Sequence, residues 1–366
     1  MFSLFKRRTS SEPELTFQCR VQRFWAWFTE NSSRLHDAIE SRQIANFSDE
    51  VRTKVDELGP GFAWVFGPGE NGKGHSFTLS GEGVLHHQLL ALYWESQKSE
   101  LAGWAFYASR QPGSIDGFHM EIGGKRFDPT EFWLVPIVNL DSEKLDLTVW
   151  HPLFDKLEER HRWSSLFLFL DEVLGEYGTQ QWVGEIKLNE GRLTEAIPLR
   201  ELPEFLKRIQ AEMGWKKLPL GQGCSMYNCH NPHDRFLRGD VLTGTTINLR
   251  LINEYVNSEG ELADPVAGTG AHYVFVSFDA KILPQGQQAA ARGVIEDDLN
   301  TALETAASGR LLGGAFGIRS AYIDLLLFAG DESLSIVKRV LQRHNLPPGS
   351  AINYFAKEKR RDRILL

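Results

Sequence analysis

The last third of the chain carries the pattern that most narrows the folds open to it. "HYVFVSFDA" is a β-branched and aromatic run of strand length, and "QQAAARGVIEDDLNTALETAAS" sets Ile295, Leu299, Leu303 and Ala307 four apart, the spacing of one helical face. "GRLLGGAFG" and "SAYIDLLLF" read as two strands joined at a glycine-containing turn. "GDESLSIVKRVLQRHNLPPG" predicts a second helix, with Asp331 as N-cap, Leu334, Val337 and Leu341 inward and Pro347-Pro348 as the stop; "SAINYFA" supplies a last strand. Strand, helix, strand, strand, helix, strand is the split βαβ, or ferredoxin-like, order, whose usual result is a four-stranded sheet with both helices on one face. This unit is expected over 271–356, followed by a charged tail at 357–366, "KEKRRDRILL", that stays solvated.

Upstream, 1–15 reads as a polar leader. "RVQRFWAWFTENSSRLHDAI" and "SDEVRTKVDEL" place Phe24 and Phe28, then Val51, Val55 and Leu58, on helical faces. From Phe62 the pattern becomes short β-rich runs punctuated by glycine, which predicts an antiparallel sheet, with packed helices near "VLHHQLLALYWES" and "EERHRWSSLFLFLDEVLG". The second helix is apolar on much of its circumference, with Trp163, Leu166, Phe167, Leu170, Val173 and Leu174 expected inward and Gly175 as the stop. A helix near 199–213 closes an N-terminal α+β unit taken as 16–215. Residues 216–270, rich in Gly, Asn, Asp and Pro, are expected to be a connecting segment with one strand, "DVLTGTTINL". The fold class is α+β in two units.

A chain of 366 residues with 42% hydrophobic content has core enough for both units. Its net charge of −8 disfavours a dedicated nucleic-acid surface, and no apolar run reaches the length that spans a bilayer. The opening "MFSLFKRR" lacks the longer apolar stretch of an export signal, and three cysteines make no disulfide framework, so the expected compartment is the cytoplasm.

"GPGENGKGHS", 67–76, nearly spells the phosphate-cradling G-x-x-x-x-G-K-[ST]. The magnesium position is Gly74, and the alternating "HSFTLS" that follows offers no helix N-terminus to an anion, so the decapeptide reads as a hairpin connection with Lys73 exposed. Cys224, Cys229, His230 and His233 form a ligand-rich cluster that zinc would accept as two thiolates and two imidazoles. Structural zinc sites separate their ligand pairs by a long spacer, and one short loop rarely turns four side chains onto one ion, so a loop without metal is the better reading and no other cofactor is expected. His86 and His87 are adjacent on a helix and point about 100° apart. Arg238-Gly239-Asp240 spells an adhesion tripeptide by chance. Trp64, Trp104, Trp133 and Trp163 fall in apolar runs and are assigned to core; Trp150, Trp182 and Trp215, in more polar settings, are the candidate surface anchors for a partner.

The order of "FWAWF", "GWAFYASRQP", "EIGGKRFDP" and "GRLLGGAFG…AYIDLLLF" resembles the bacterial group catalogued as domain of unknown function family 695, chiefly over 20–190. That group has no established activity, so the resemblance implies a bacterial cytoplasmic α+β protein and transfers no catalytic residue. With no nucleophile elbow, zincin helix or kinase set, the expected function is a non-enzymatic module that binds another protein, of the immunity or antitoxin kind. The alternatives are a hydrolase or transferase drawing on Asp128, His151 and His230 between the units, and a small-ligand sensor using the C-terminal sheet.

Overall fold

The computed structural model describes residues 15–115 and 120–366, so all of the expected leader but Leu15 lies outside the described residues. The protein is of mixed helix and sheet class. It divides into two compact units, one discontinuous (residues up to Pro60 together with Cys224–Leu366) and one inserted between them (Gly61–Gly223).

The discontinuous unit begins with α1 (Phe17–Glu40) and α2 (Ser48–Asp56). The first turn of a helix leaves N–H groups without intrahelical partners. In α1 those of Phe17 and Gln18 donate to the carbonyls of Gly270 and Phe328, and the Gln18 side chain donates to Ala307 O. Gly270 (φ 78°) permits this approach, since a Cβ there would lie 2.1 Å from Leu15 O. These bonds place the N-terminal helices with the C-terminal sheet, which corrects the contiguous 16–215 unit expected from sequence.

The inserted unit runs β1 (Ala63–Pro68), β2 (His75–Ser80), α3 (Leu85–Ser96), β3 (Trp104–Tyr107), β4 (Met120–Ile122), β5 (Lys125–Phe127), β6 (Trp133–Asn139), β7 (Lys144–Trp150), α4 (Glu159–Leu174), α5 (Glu176–Trp182), β8 (Val183–Leu188), β9 (Ile197–Pro198) and α6 (Leu202–Met213). Instead of one antiparallel sheet it holds three: β1-β2-β3, the pair β4-β5, and β8-β7-β6-β9, with β2–β3 and β7–β8 parallel. The parallel pairs arise because helical segments, α3 and α4–α5, separate the paired strands in the chain and carry it back over the sheet. α4 buries Leu166, Phe169, Leu170 and Val173 against Leu134, Leu147 and Val149 of the four-stranded sheet, whereas Phe167, expected inward, is exposed.

β1 and β2 pair from Ala63↔Ser80 to Pro68↔His75, so "GPGENGKGHS" is the turn of a hairpin, closed by Gly69 N–H on Gly74 O. Gly74 (φ 69°) passes so close to Gly103 that a Cβ would sit 2.3 Å from its carbonyl oxygen. No helix follows to aim a dipole at phosphate, and Lys73 is exposed. Lys73→Ala should therefore change stability by less than about 0.5 kcal/mol and leave melting in ATP the same as melting without it, as differential scanning fluorimetry would show.

The chain returns to the discontinuous unit with β10 (Ser225–Asn228), β11 (Val241–Thr246), α7 (Leu249–Asn257), β12 (His272–Asp279), α8 (Gln288–Thr305), β13 (Gly309–Gly317), β14 (Ser320–Leu327), α9 (Asp331–Arg343), β15 (Ala351–Tyr354) and β16 (Ile364–Leu365). Its seven strands lie in the order β10-β11-β13-β14-β12-β15-β16, every neighbour antiparallel. The expected connecting segment 216–270 thus supplies two strands and a helix to this sheet. The expected solvated tail is also folded: Ile364 pairs with Ile352, and Leu366 N–H donates to Ser350 O. Asp331 is the first residue of α9 and the cap is Gly330; α8 ends before Ala307, which is left-handed at φ 47°.

One face of the sheet packs Val274, Val276, Ile323 and Leu325 against Ile295, Leu299, Leu303, Val337 and Leu341 of α8 and α9. The opposite face carries Phe275, Tyr322 and Asp324, and all three are buried as well. Asp324 is met by Arg238, whose guanidinium donates through both terminal nitrogens to its carboxylate, gives a further bond to Tyr227 Oη at 3.0 Å, and lies about 5 Å from the rings of Phe275, Tyr322 and Phe355. Burial works against the Arg238 charge, and the adjacent Asp324 carboxylate outweighs it, holding the guanidinium protonated. Asp240 accepts from Tyr322 Oη and from the N–H groups of Arg319 and Ser320, clamping the β13–β14 turn. The adhesion-like tripeptide is therefore a buried clamp.

Candidate functional site

Partners across a ladder share a face of the sheet. The pairs Trp64↔Leu79 and Phe66↔Phe77 point to one side of β1–β2, where Phe77 meets Trp94 of α3. The alternate residues Val65, Gly67, Ser76 and Thr78, with Tyr107 beside Thr78 in β3, form the other side. They floor an open cleft of about 670 Å3, walled by the hairpin turn, by Arg110–Gly113 and by Leu168, Asp171 and Glu172 of α4. A cavity of this size lies within the ordinary range for small-molecule sites.

The floor is polar and unsatisfied. Ser76 and Thr78 are each 4% exposed, and neither hydroxyl has a hydrogen-bond partner among the described residues. Both face the open cleft, so their hydroxyls are free to meet water or a ligand there. On the wall, burial pushes the Asp171 carboxyl up to about 6; the Thr179 hydroxyl and Arg110 oppose the rise, and Glu176 and Glu82 add to it. Burial also raises Glu172, against the charge of Arg110. The Arg110 guanidinium is engaged by Glu82, which leaves the wall carboxyls without a dedicated cation.

Behind the wall, Glu176 fixes the geometry. Its buried carboxylate accepts from Ser80 Oγ (2.8 Å), Gly83 N–H (2.9 Å), Gln88 Nε2 (3.0 Å) and Arg110 N–H (3.2 Å). One side chain at the start of α5 thus ties the ends of β2 and β3 and the first turns of α3 together. All four donors are accounted for, so Glu176 is a positioning residue.

Asp171 has a raised folded-state value, so the folded chain holds that proton more tightly than the unfolded one between pH 4 and 6, and its stabilising contribution is lost as pH rises through 6. Asp171→Asn should then stabilise the inserted unit at pH 7.5 and have little effect at pH 4, read by urea unfolding at the two pH values.

The residues singled out from sequence are placed elsewhere. No three of Cys224, Cys229, His230 and His233 bring ligand atoms within 4.8 Å of one another. The reason is local: Cys224 precedes and Cys229 follows β10, so they lie roughly 16 Å apart and face opposite sides of the strand. Trp182 and Trp215 are core, not surface anchors; their rings stack at 6.0 Å and 4° because each covers the other at the ends of α5 and α6. Trp150 is half-buried, and so are Trp64, Trp104, Trp133 and Trp163, which were expected in the core. Asp128 caps the turn at Thr130. His151 is enclosed by Phe127, Phe132 and Phe154, with ring centroids 4.3–5.6 Å away, and its Nδ1 accepts from Leu153 N–H, so the proton sits on Nε2. Burial lowers its pKa to about 4, which leaves it neutral within this aromatic cage. His230, in the other unit, is exposed.

No family model, curated protein or solved structure matches this chain. The cleft therefore stands on its own chemistry. Sequence reading passed over Asp171, Glu172 and Glu176, although an adjacent acid pair following the apolar run "LFLFL" was a usable signal.

Proposed function

We propose that the inserted unit is a small-ligand-binding module whose site is the cleft on the hydroxyl-bearing face of β1–β2–β3. The observation that carries this reading is the pair of largely buried Ser76 and Thr78, whose hydroxyls have no partner among the described residues and line one cleft with the carboxyls of Asp171 and Glu172. Together they offer hydroxyls that can donate or accept and carboxyls that accept when ionised, the complement of a polar, donor-rich molecule. Thr78→Val removes one hydroxyl at nearly constant volume. In a fluorimetric screen of polar metabolites it should lower the affinity of any true ligand about fivefold to tenfold, the loss of one hydrogen bond, with the unliganded melting temperature little changed. Ligands that bind wild type and Thr78→Val equally would remove the reading.

The discontinuous unit is read as a ferredoxin-like element, β12-α8-β13-β14-α9-β15, enlarged by β10, β11 and β16. Its strand order β15-β12-β14-β13 supports that reading. The expectation of a protein partner is retained as a second reading, supported by the edge strand β10 with Met226 74% exposed. Met226→Glu should then lose a protein that co-purifies with the wild-type chain; an unchanged set of co-purifying proteins would remove this reading.

A further inference from the structure

We propose that the cleft takes a small organic cation, one bearing an ammonium or guanidinium group, seated against Asp171 and Glu172 with its remaining polar atoms on Ser76 and Thr78. The inference rests on the reading of the cleft as a ligand site and adds the ligand's charge. Among the described residues, three carboxyls line the cleft: Glu70 in the hairpin turn, and Asp171 and Glu172 on α4. Arg110 is the cationic side chain that lines it, and its guanidinium is paired with Glu82. Lys73, although it belongs to the same hairpin turn, is not among the lining residues. Among the described residues, an anionic ligand would meet three carboxyls and no free cation; a cationic one would supply the charge that the half-buried wall carboxyls lack.

The floor strengthens the assignment. Two hydroxyls next to two carboxylates accept from the N–H groups of an ammonium or guanidinium, which is a donor without acceptors. The charges facing Asp171 are Glu172 on its own helix, Glu176 on α5, Glu82 before α3 and Arg110 after β3. Three of these four are acidic, so a cation offsets repulsion that adds to the burial raising Asp171 to about 6.

The probes are agmatine and spermidine as cations, sorbitol as a neutral donor-rich molecule and succinate as an anion, titrated calorimetrically into the full chain in low salt. Agmatine or spermidine should bind and succinate should not. Because Asp171 titrates near 6 and the amines stay protonated, binding at pH 5.0 should be about tenfold weaker than at pH 7.5, with proton release on binding near pH 6. Asp171→Asn should cost at least about tenfold at pH 7.5 and flatten the pH dependence, while Lys73→Ala binds as wild type. Binding of sorbitol in preference to the amines, weakened by Thr78→Val, would overturn the cation and leave the ligand site standing. Amine binding that is indifferent to both Asp171→Asn and Thr78→Val would place the cation elsewhere and overturn the proposal. No binding of any probe overturns it as well.

Discussion

Glu176→Ala is expected to lower the stability of the inserted unit by about 3–5 kcal/mol, the range for breaking a buried charged network by removing one partner. The substitution removes the acceptor of the buried Gln88 amide and of the Gly83 and Arg110 N–H groups, and leaves the Ser80 hydroxyl with Glu82 alone. Each unpaired buried donor carries its own desolvation cost. Glu176→Gln should lose less, since its single carbonyl oxygen still accepts while its NH2 is turned against donors. Hydrogen–deuterium exchange gives the local readout: amides of 80–83 and 110 should lose protection first. Because Arg110 and the end of α4 at Asp171 and Glu172 form a wall of the cleft, ligand affinity should fall with them. An alanine variant with protection at those amides unchanged would show that the four bonds do not hold the site.

The second large effect is expected at the buried ion pair of the sheet. Asp324→Ala leaves the Arg238 guanidinium facing three aromatic rings and one tyrosine hydroxyl, with no countercharge, and should cost about 3–5 kcal/mol. Arg238→Met combined with Asp324→Leu removes both charges together and should recover most of that loss, because the two desolvation penalties vanish with the attraction. Arg238 also has a left-handed backbone, φ 73°, so replacement by any non-glycine residue retains a conformational cost that the double variant cannot relieve. Denaturant unfolding of the two single variants and the double variant measures the coupling; equal losses in single and double variants would mean that the pair contributes through packing alone.

His151 supplies a pH dependence of opposite sense to that of Asp171. Its folded value is depressed, so its neutral-state stability is complete above pH 6.5 and is lost as the pH falls toward 4. His151→Phe should flatten the acid limb of the stability profile over that window; a limb that is unchanged would assign the acid sensitivity to other groups.

The local pattern of the C-terminal third was legible because β-branched runs and four-residue spacing report directly on which face is buried. The hairpin at 67–76 was legible for the same reason, since alternation in "HSFTLS" excluded the helix that a phosphate loop requires. The cleft was not, because alternation shows that Ser76 and Thr78 share a face but not what lies across from it. That depends on α4, whose Asp171 and Glu172 stand far away in sequence and were passed over there. Asp324 was similarly readable as an anomaly, a lone acid within "AYIDLLLF", but its partner lies in the loop before β11, and no periodicity connects them.

Periodicity and glycine placement determined the helices, most strands and the α+β class, since these depend on the torsional and burial preferences of residues close in the chain. Tertiary structure alone decided that α1 and α2 belong with the C-terminal sheet, that 216–270 and 357–366 add strands to it, and that Trp182 and Trp215 are interior. It also decided that two hydroxyls and two carboxyls from separate segments converge on one cleft. The physical reason is common to all of these. Unpaired backbone groups, buried charges and half-covered aromatic faces must find partners somewhere, and when no partner is close in the chain, only the packed structure specifies which distant residue supplies it.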